Sequence, residues 1–171
     1  MQIIVHSTEP EVAEQQARLR SAGLGVYAVG PVVKNIQTCS FCSGEKAEGL
    51  PDARALDAAV AGVLTPFPVR VGFSGCTANC SEALLRDIGV VRQDGGTYEI
   101  YLGGRTGSLT PSFGVRVAAG VTAANLAPAV GALLQVYQET AKGRERLWKN
   151  LSRIGPEPYL EAAAPFACHR T

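Results

Sequence analysis

The 171-residue sequence predicts an α+β fold: a mixed or antiparallel sheet covered by helices, opened by an N-terminal β–α–β segment. Three observations carry this reading. Short apolar or alternating runs ("VRVGF", "GVV", "TYEIYLGG") have the pattern of strands. Two longer stretches, "ARALDAAVAGVL" and "TAANLAPAVGALLQVYQETA", carry helical periodicity. The turn signal "RQDGG" lies between two of the strands and folds one back on the other.

Taken in order, "QIIVH" (2–6) reads as a short buried strand. The stretch "EPEVAEQQARLRSAG" follows as a helix, with Ser7 or Thr8 as N-cap, Pro10 in the first turn and Gly23 at the end. "LGVYAVG" (24–30) returns as a strand, which completes the β–α–β unit. Residues 43–52, rich in Gly, Pro and charge, read as loop. A helix is expected over 53–64, stopped by "TPFP", and a strand over 69–73. "SEALLRDIG" (81–89) reads as a short helix, and residues 105–120 as a long loop with a short strand at "GVRVA". In the C-terminal third, the helix over 122–141 places Leu126, Val130, Leu133, Leu134, Tyr137 and Ala141 along one face. Helices over 143–153 and 156–163 close a chain read as one domain, with a lead-in (1–30), a cysteine-bearing core (31–120) and C-terminal helices (121–163).

Composition narrows the function. The formal net charge is +1 and 18% of residues are charged, so neither nucleic acid nor an anionic membrane is expected as a partner. The basic run "KGRERLWKNLSR" (142–153) is interrupted by Glu145 and reads as a solvated helix face. The N-terminus lacks a basic segment ahead of an apolar run, and no window approaches the about 18 apolar residues of a membrane span. The expected location is therefore the cytoplasm, where thiols stay reduced. His6 and His169 read as ordinary residues, "GGRTG" (103–107) lacks the helix start of a phosphate site, and Cys168 reads as a free thiol. Trp148, with Leu147, Leu151 and Ile154, reads as helix-face packing.

The other four cysteines form two tight pairs, Cys39/Cys42 (C-x2-C) and Cys76/Cys80 (C-x3-C). Each spacing brings two sulfurs to one side of a turn, so the pairs together supply four thiolates. That is the protein ligand set of a 4Fe–4S cluster or a structural zinc. The alternatives are a C-x-x-C redox dithiol and small buried residues. The second pair lies in a Gly-turn expected to run into a helix, whose N–H groups would favour the negative charge of an iron–sulfur cluster.

The stretches "VRVGFSGCTANCSEALLRDIGVV", "YEIYLGGRTG" and "YQETAKGRERLWKNLSRIG" resemble the sirohaem and 4Fe–4S domain of the nitrite/sulfite reductase family. In that family a strand ends in Ser-Gly-Cys, a second cysteine follows four positions later, and Asp-Ile-Gly comes next. The matching positions here are Ser74, Gly75, Cys76, Cys80, Asp87, Ile88 and Gly89. A strand pair with Gly-Gly-Arg corresponds to Tyr98–Arg105, and "GLGVYAVGPVVKNIQTC" resembles the run-in to the first cysteine. The resemblance covers residues from about 20 to 160.

The resemblance implies that Cys39, Cys42, Cys76 and Cys80 ligate the cluster and that Cys80 also bridges it to sirohaem iron. It implies that Lys34 and Arg70 neutralise an oxyanion and, with Arg105, the haem carboxylates. Three differences stand out: the first pair is C-x2-C where the family has C-x5-C, Pro68 and Arg70 stand where two lysines are usual, and only about one of two related halves is present. A homodimer or a partner subunit would be needed to enclose sirohaem. The implied function is a 4Fe–4S redox protein that transfers electrons to, or reduces, sulfite or nitrite, and an oxidoreductase if sirohaem is bound. Its partners would be an electron-donor protein or reductase subunit and a small oxyanion or tetrapyrrole. The alternatives are a role in tetrapyrrole (cobalamin-type) biosynthesis and a non-redox domain stapled by its metal.

Overall fold

The computed structural model describes residues 9–26, 29–40, 42, 48–107 and 109–168. The strand expected over 2–6, with His6, and the tail residue His169 lie outside them. Helix α1 (Glu9–Ser21) is present, closed by Gly23 at φ 78 with the Leu24 N–H returning to the Leu19 carbonyl. Residues 24–26, 29 and 30 form no strand, so the β–α–β opening is represented by its helix alone among the described residues.

Strands β1 (Gln37–Thr38), β2 (Val71–Ser74), β3 (Ile88–Arg92), β4 (Tyr98–Leu102) and β5 (Val115–Val121) lie in that order across one sheet. The first three run parallel, with Gln37 opposite Gly72 and Val71 opposite Ile88. The last two are antiparallel, so the sheet is mixed, as expected. Helices α2 (Gly49–Val60), α3 (Ala123–Thr140), α4 (Leu147–Ile154) and α5 (Glu157–Ala163) complete the fold. Val71 and Phe73 of β2, Ile88 and Val90 of β3, and Tyr98, Ile100 and Leu102 of β4 join the face of α3 made by Leu126, Val130, Leu133, Leu134 and Tyr137 in one core. Ala141 is half-buried just beyond the end of α3, packed against that core.

Every residue of β2 is buried, because its second face is covered as well. The expected helix over 81–89 is a single 3-10 turn, Ala83–Leu85, laid across that face. Glu82 holds the left-handed conformation at φ 55, which no continuing helix tolerates, and by Ile88 the chain must already pair in parallel with Val71. The turn rests on two glycines that face each other across β2 and β3. A Cβ on Gly72 would lie 2.8 Å from Ala83 Cα, and one on Gly89 would lie 2.9 Å from the Ala83 carbonyl carbon. Within residues 105–120 the short strand expected at "GVRVA" is present and longer than expected, running as β5 from Val115 to Val121 after the loop. Helix α2 begins at Gly49 instead of 53, with Pro51 in its first turn, and the chain leaves it before Gly62 at φ 84.

The C-terminal helices are tied by a polar network. Fully buried Asn150 accepts from the Tyr159 hydroxyl at 2.6 Å and donates to Thr140 Oγ1 at 3.1 Å. Arg153 donates to both oxygens of Glu145, at 3.0 and 2.7 Å, and the Tyr137 hydroxyl donates to the Glu145 carbonyl.

Candidate metal centre

Parallel pairing of β1 with β2 brings the two cysteine segments to the same end of the sheet. The chain leaves β1 at Thr38 directly into Cys39 and leaves β2 at Ser74 into Gly75 and Cys76, while Thr38 pairs with Phe73. The Cys39 N–H donates to the Phe73 carbonyl at 3.3 Å, and the Gly75 N–H donates to Cys39 Sγ at 3.4 Å. One cavity of about 140 Å³ results, lined by Cys39, Cys42, Cys76 and Cys80 with Ser40, Ser74 and Gly75. The four thiols expected to act together therefore do meet, although their segments lie more than thirty positions apart in the chain. All are free thiols, Cys39 and Cys76 half-buried and Cys42 and Cys80 exposed. Among the described residues, no three His, Cys, Asp or Glu side chains close on a point that a single metal ion could occupy.

The helix start expected to favour a cluster at the second pair is absent. The N–H that reaches sulfur comes instead from Gly75, on the turn out of β2. Three residues not singled out as site residues from the sequence hold this loop. Ser74 Oγ lies 2.6 Å from Ser81 Oγ and donates to Asn79 Oδ1 at 3.3 Å, and the same oxygen accepts the Leu84 N–H at 3.4 Å. Asn79 itself has φ 54, a region that Asn tolerates better than most residues. The sequence signal was present in the Ser-Gly-Cys that ends β2 and in an Asn within a tight C-x3-C loop.

The expected basic residues do not line the cavity. Lys34 and Arg70 lie side by side at the other end of the strands, with the Lys34 N–H bonded to the Val69 carbonyl and Lys34 Nζ donating to the Gly30 carbonyl at 3.1 Å. The length of β2, roughly 13 Å at a strand's rise per residue, separates Arg70 from Gly75. Arg70 is exposed, and its backbone N–H donates to Asp87 Oδ2 at 2.9 Å. Burial pushes the Asp87 carboxyl above the ordinary carboxylate value, against the pull of Arg70. Arg105 bends onto its own loop, donating to Thr110 Oγ1 at 2.9 Å, and its guanidinium stands 4.7 Å over the Trp148 ring. Trp148 is thus half-buried beneath a cation, beyond the helix packing expected of it. Cys168 lies against Gly120 and is not among the residues that line the cavity.

Residues 32–167 match the family described as the nitrite and sulphite reductase 4Fe-4S domain. The chain is 34% identical over 132 residues to "Nitrite reductase [NAD(P)H]" of Bacillus subtilis (strain 168), covering 75% of this chain and 16% of that protein. It is 29% identical over 137 residues to "Cobalt-factor III methyltransferase" of Priestia megaterium, covering 80% of this chain and 25% of that protein. The chain thus spans a quarter or less of the length of these two relatives. The NirA protein of Mycobacterium tuberculosis shares the fold, with a TM-score of 0.72 at 17% identity over 91% of this chain and 31% of that one. The described helices include none long and apolar enough to cross a membrane. With the family match spanning most of the sequence and the cysteine segments meeting at one end of the sheet, this chain is a member of the nitrite and sulphite reductase 4Fe-4S domain family.

Proposed function

We propose that Cys39, Cys42, Cys76 and Cys80 bind a 4Fe–4S cluster and that the chain transfers electrons to, or takes part in reducing, an oxyanion such as sulfite or nitrite. The observation that carries this reading is the meeting of four thiols from two distant segments around one cavity, with a backbone N–H already directed at a sulfur. Four thiolates around one cavity, with a backbone N–H directed at sulfur, suit the negative charge of a cluster. The cluster, when bound, would supply one-electron transfer. The chain's own contribution is to hold the thiolates, to shield Cys39 and Cys76 from water, and to place the Gly75 N–H where it stabilises negative charge on sulfur.

Cys80 is the exposed member of its pair, the position from which a thiolate can face a second metal outside the cavity. That placement supports sirohaem held between this chain and a second half, supplied by a homodimer partner or a reductase subunit that also brings the electron donor. Lys34 and Arg70, remote from the thiols, suit the carboxylates of a tetrapyrrole better than an oxyanion near Cys80. Arg105 is assigned the same carboxylate role. Free thiols of this kind suit the reducing cytoplasm.

The match to the cobalt-factor III methyltransferase favours a second reading, in which the cluster domain serves cobalamin-type tetrapyrrole synthesis. Anaerobic reconstitution with iron and sulfide, followed by addition of sirohaem, separates the two. Sharp red absorbance with nitrite- or sulfite-dependent oxidation of a reduced viologen supports the reductase reading. Binding of a cobalt corrinoid with no such oxidation supports the second.

A further inference from the structure

The loop that carries Cys76 and Cys80 is closed at its base by side chains, independently of any metal. Ser74 precedes the loop and Ser81 follows it. Their hydroxyls lie 2.6 Å apart and both residues are buried, Ser74 at 1% exposure. Asn79, inside the loop, ties this base to the 3-10 turn that follows. The Leu84 N–H requires an acceptor at Asn79 Oδ1, which fixes how the amide is turned, and the amide oxygen can only accept from Ser74. The single proton of Ser74 therefore goes to Asn79, and that of Ser81 goes to Ser74. Ser74, which lines the thiol cavity, offers no proton to it, so the N–H of Gly75 is left as the donor to sulfur.

We propose that Ser74, Asn79 and Ser81 are positioning residues: a buried hydroxyl–hydroxyl–amide chain that sets the Cys76–Cys80 loop in its cluster-binding form before metal arrives. This rests on the cluster-binding reading above. Substitutions at outer groups that orient metal ligands commonly cost about ten-fold or more in metal retention, which sets the expected effect.

The test uses Ser74→Ala, Asn79→Gly and Ser74→Thr in the full chain, reconstituted anaerobically with iron and sulfide. Asn79→Gly keeps a residue that accepts φ 54 and removes the side-chain amide. Ser74→Thr keeps the hydroxyl. All forms are compared at a temperature where each shows native circular dichroism. Should Ser74→Ala not fold, the half-buried Asn79→Gly still decides.

The expected result is chelator-driven loss of visible absorbance about ten-fold faster in Ser74→Ala and Asn79→Gly, with altered paramagnetic resonance of the reduced form. Ser74→Thr should stay within roughly two-fold of the unsubstituted protein. Iron-loaded variants with unchanged loss rates and unchanged resonance would overturn the positioning role alone, as would a Ser74→Thr form as labile as Ser74→Ala. An unsubstituted protein that takes up neither iron nor sulfide would overturn the cluster reading and this proposal with it.

Discussion

Two of the cavity cysteines, Cys39 and Cys76, draw their positions from backbone that is already paired. Cys39 is the first residue beyond β1, and Cys76 stands two beyond β2, so the parallel register delivers both sulfurs to one end of the sheet. Replacing any of Cys39, Cys42, Cys76 or Cys80 by Ser should therefore abolish a stable four-iron complement, while Cys168→Ser should leave it intact, as read by iron and sulfide assay. A second expectation concerns Glu145, whose carboxyl is lowered to about 2, chiefly by the hydrogen bonds from Arg153. The folded value lies below the unfolded one, so this contribution is present above the ordinary carboxylate range and is lost as pH falls from about 4.5 toward 2. Urea unfolding followed across that window should show the decline, and Glu145→Gln should lower stability at neutral pH and flatten the decline.

At the scale of the element, the crossover from β2 to β3 matters most. Its 3-10 turn lies on Gly72 and Gly89 with no room for a side chain, so Gly89→Ala should destabilise the metal-free protein by roughly 1–3 kcal/mol, the usual cost of overpacking, measured as a lower thermal midpoint. The shape of this crossover is not legible in the sequence. "SEALLRDIG" places Ala83, Leu84 and Ile88 at helical spacing, and only the tertiary demand that Ile88 pair with Val71 makes it a turn. Strand β5 was legible only in part, as the short run "GVRVA": its first two residues are exposed and Gly120 breaks the alternation, so its full length did not show. Strand β4 and helix α3 were legible because one face of each is buried and the apolar period shows it, and β2 and β3, buried on both faces, showed as short apolar runs. The thiol site was legible because its chemistry lies in residue type and spacing. The placement of Lys34 and Arg70 was not, since distance along a chain does not say which end of a strand a side chain occupies.

For the whole molecule, the hydrophobic core runs between the sheet and helices α2 to α5 and includes none of the four cavity cysteines. Chelation of the metal should accordingly leave far-ultraviolet circular dichroism largely unchanged and unfolding still cooperative. A domain stapled by its metal would instead unfold on chelation. On this account the fold is a scaffold that presents the four thiols. The central claim is that these thiols hold a reducible iron–sulfur cluster. An anaerobic absorption spectrum, with iron, sulfide and zinc assayed on the same sample, tests it most directly. The account predicts a broad blue shoulder that bleaches reversibly with dithionite and about four irons per chain. Colourless protein with one zinc and no sulfide would contradict it.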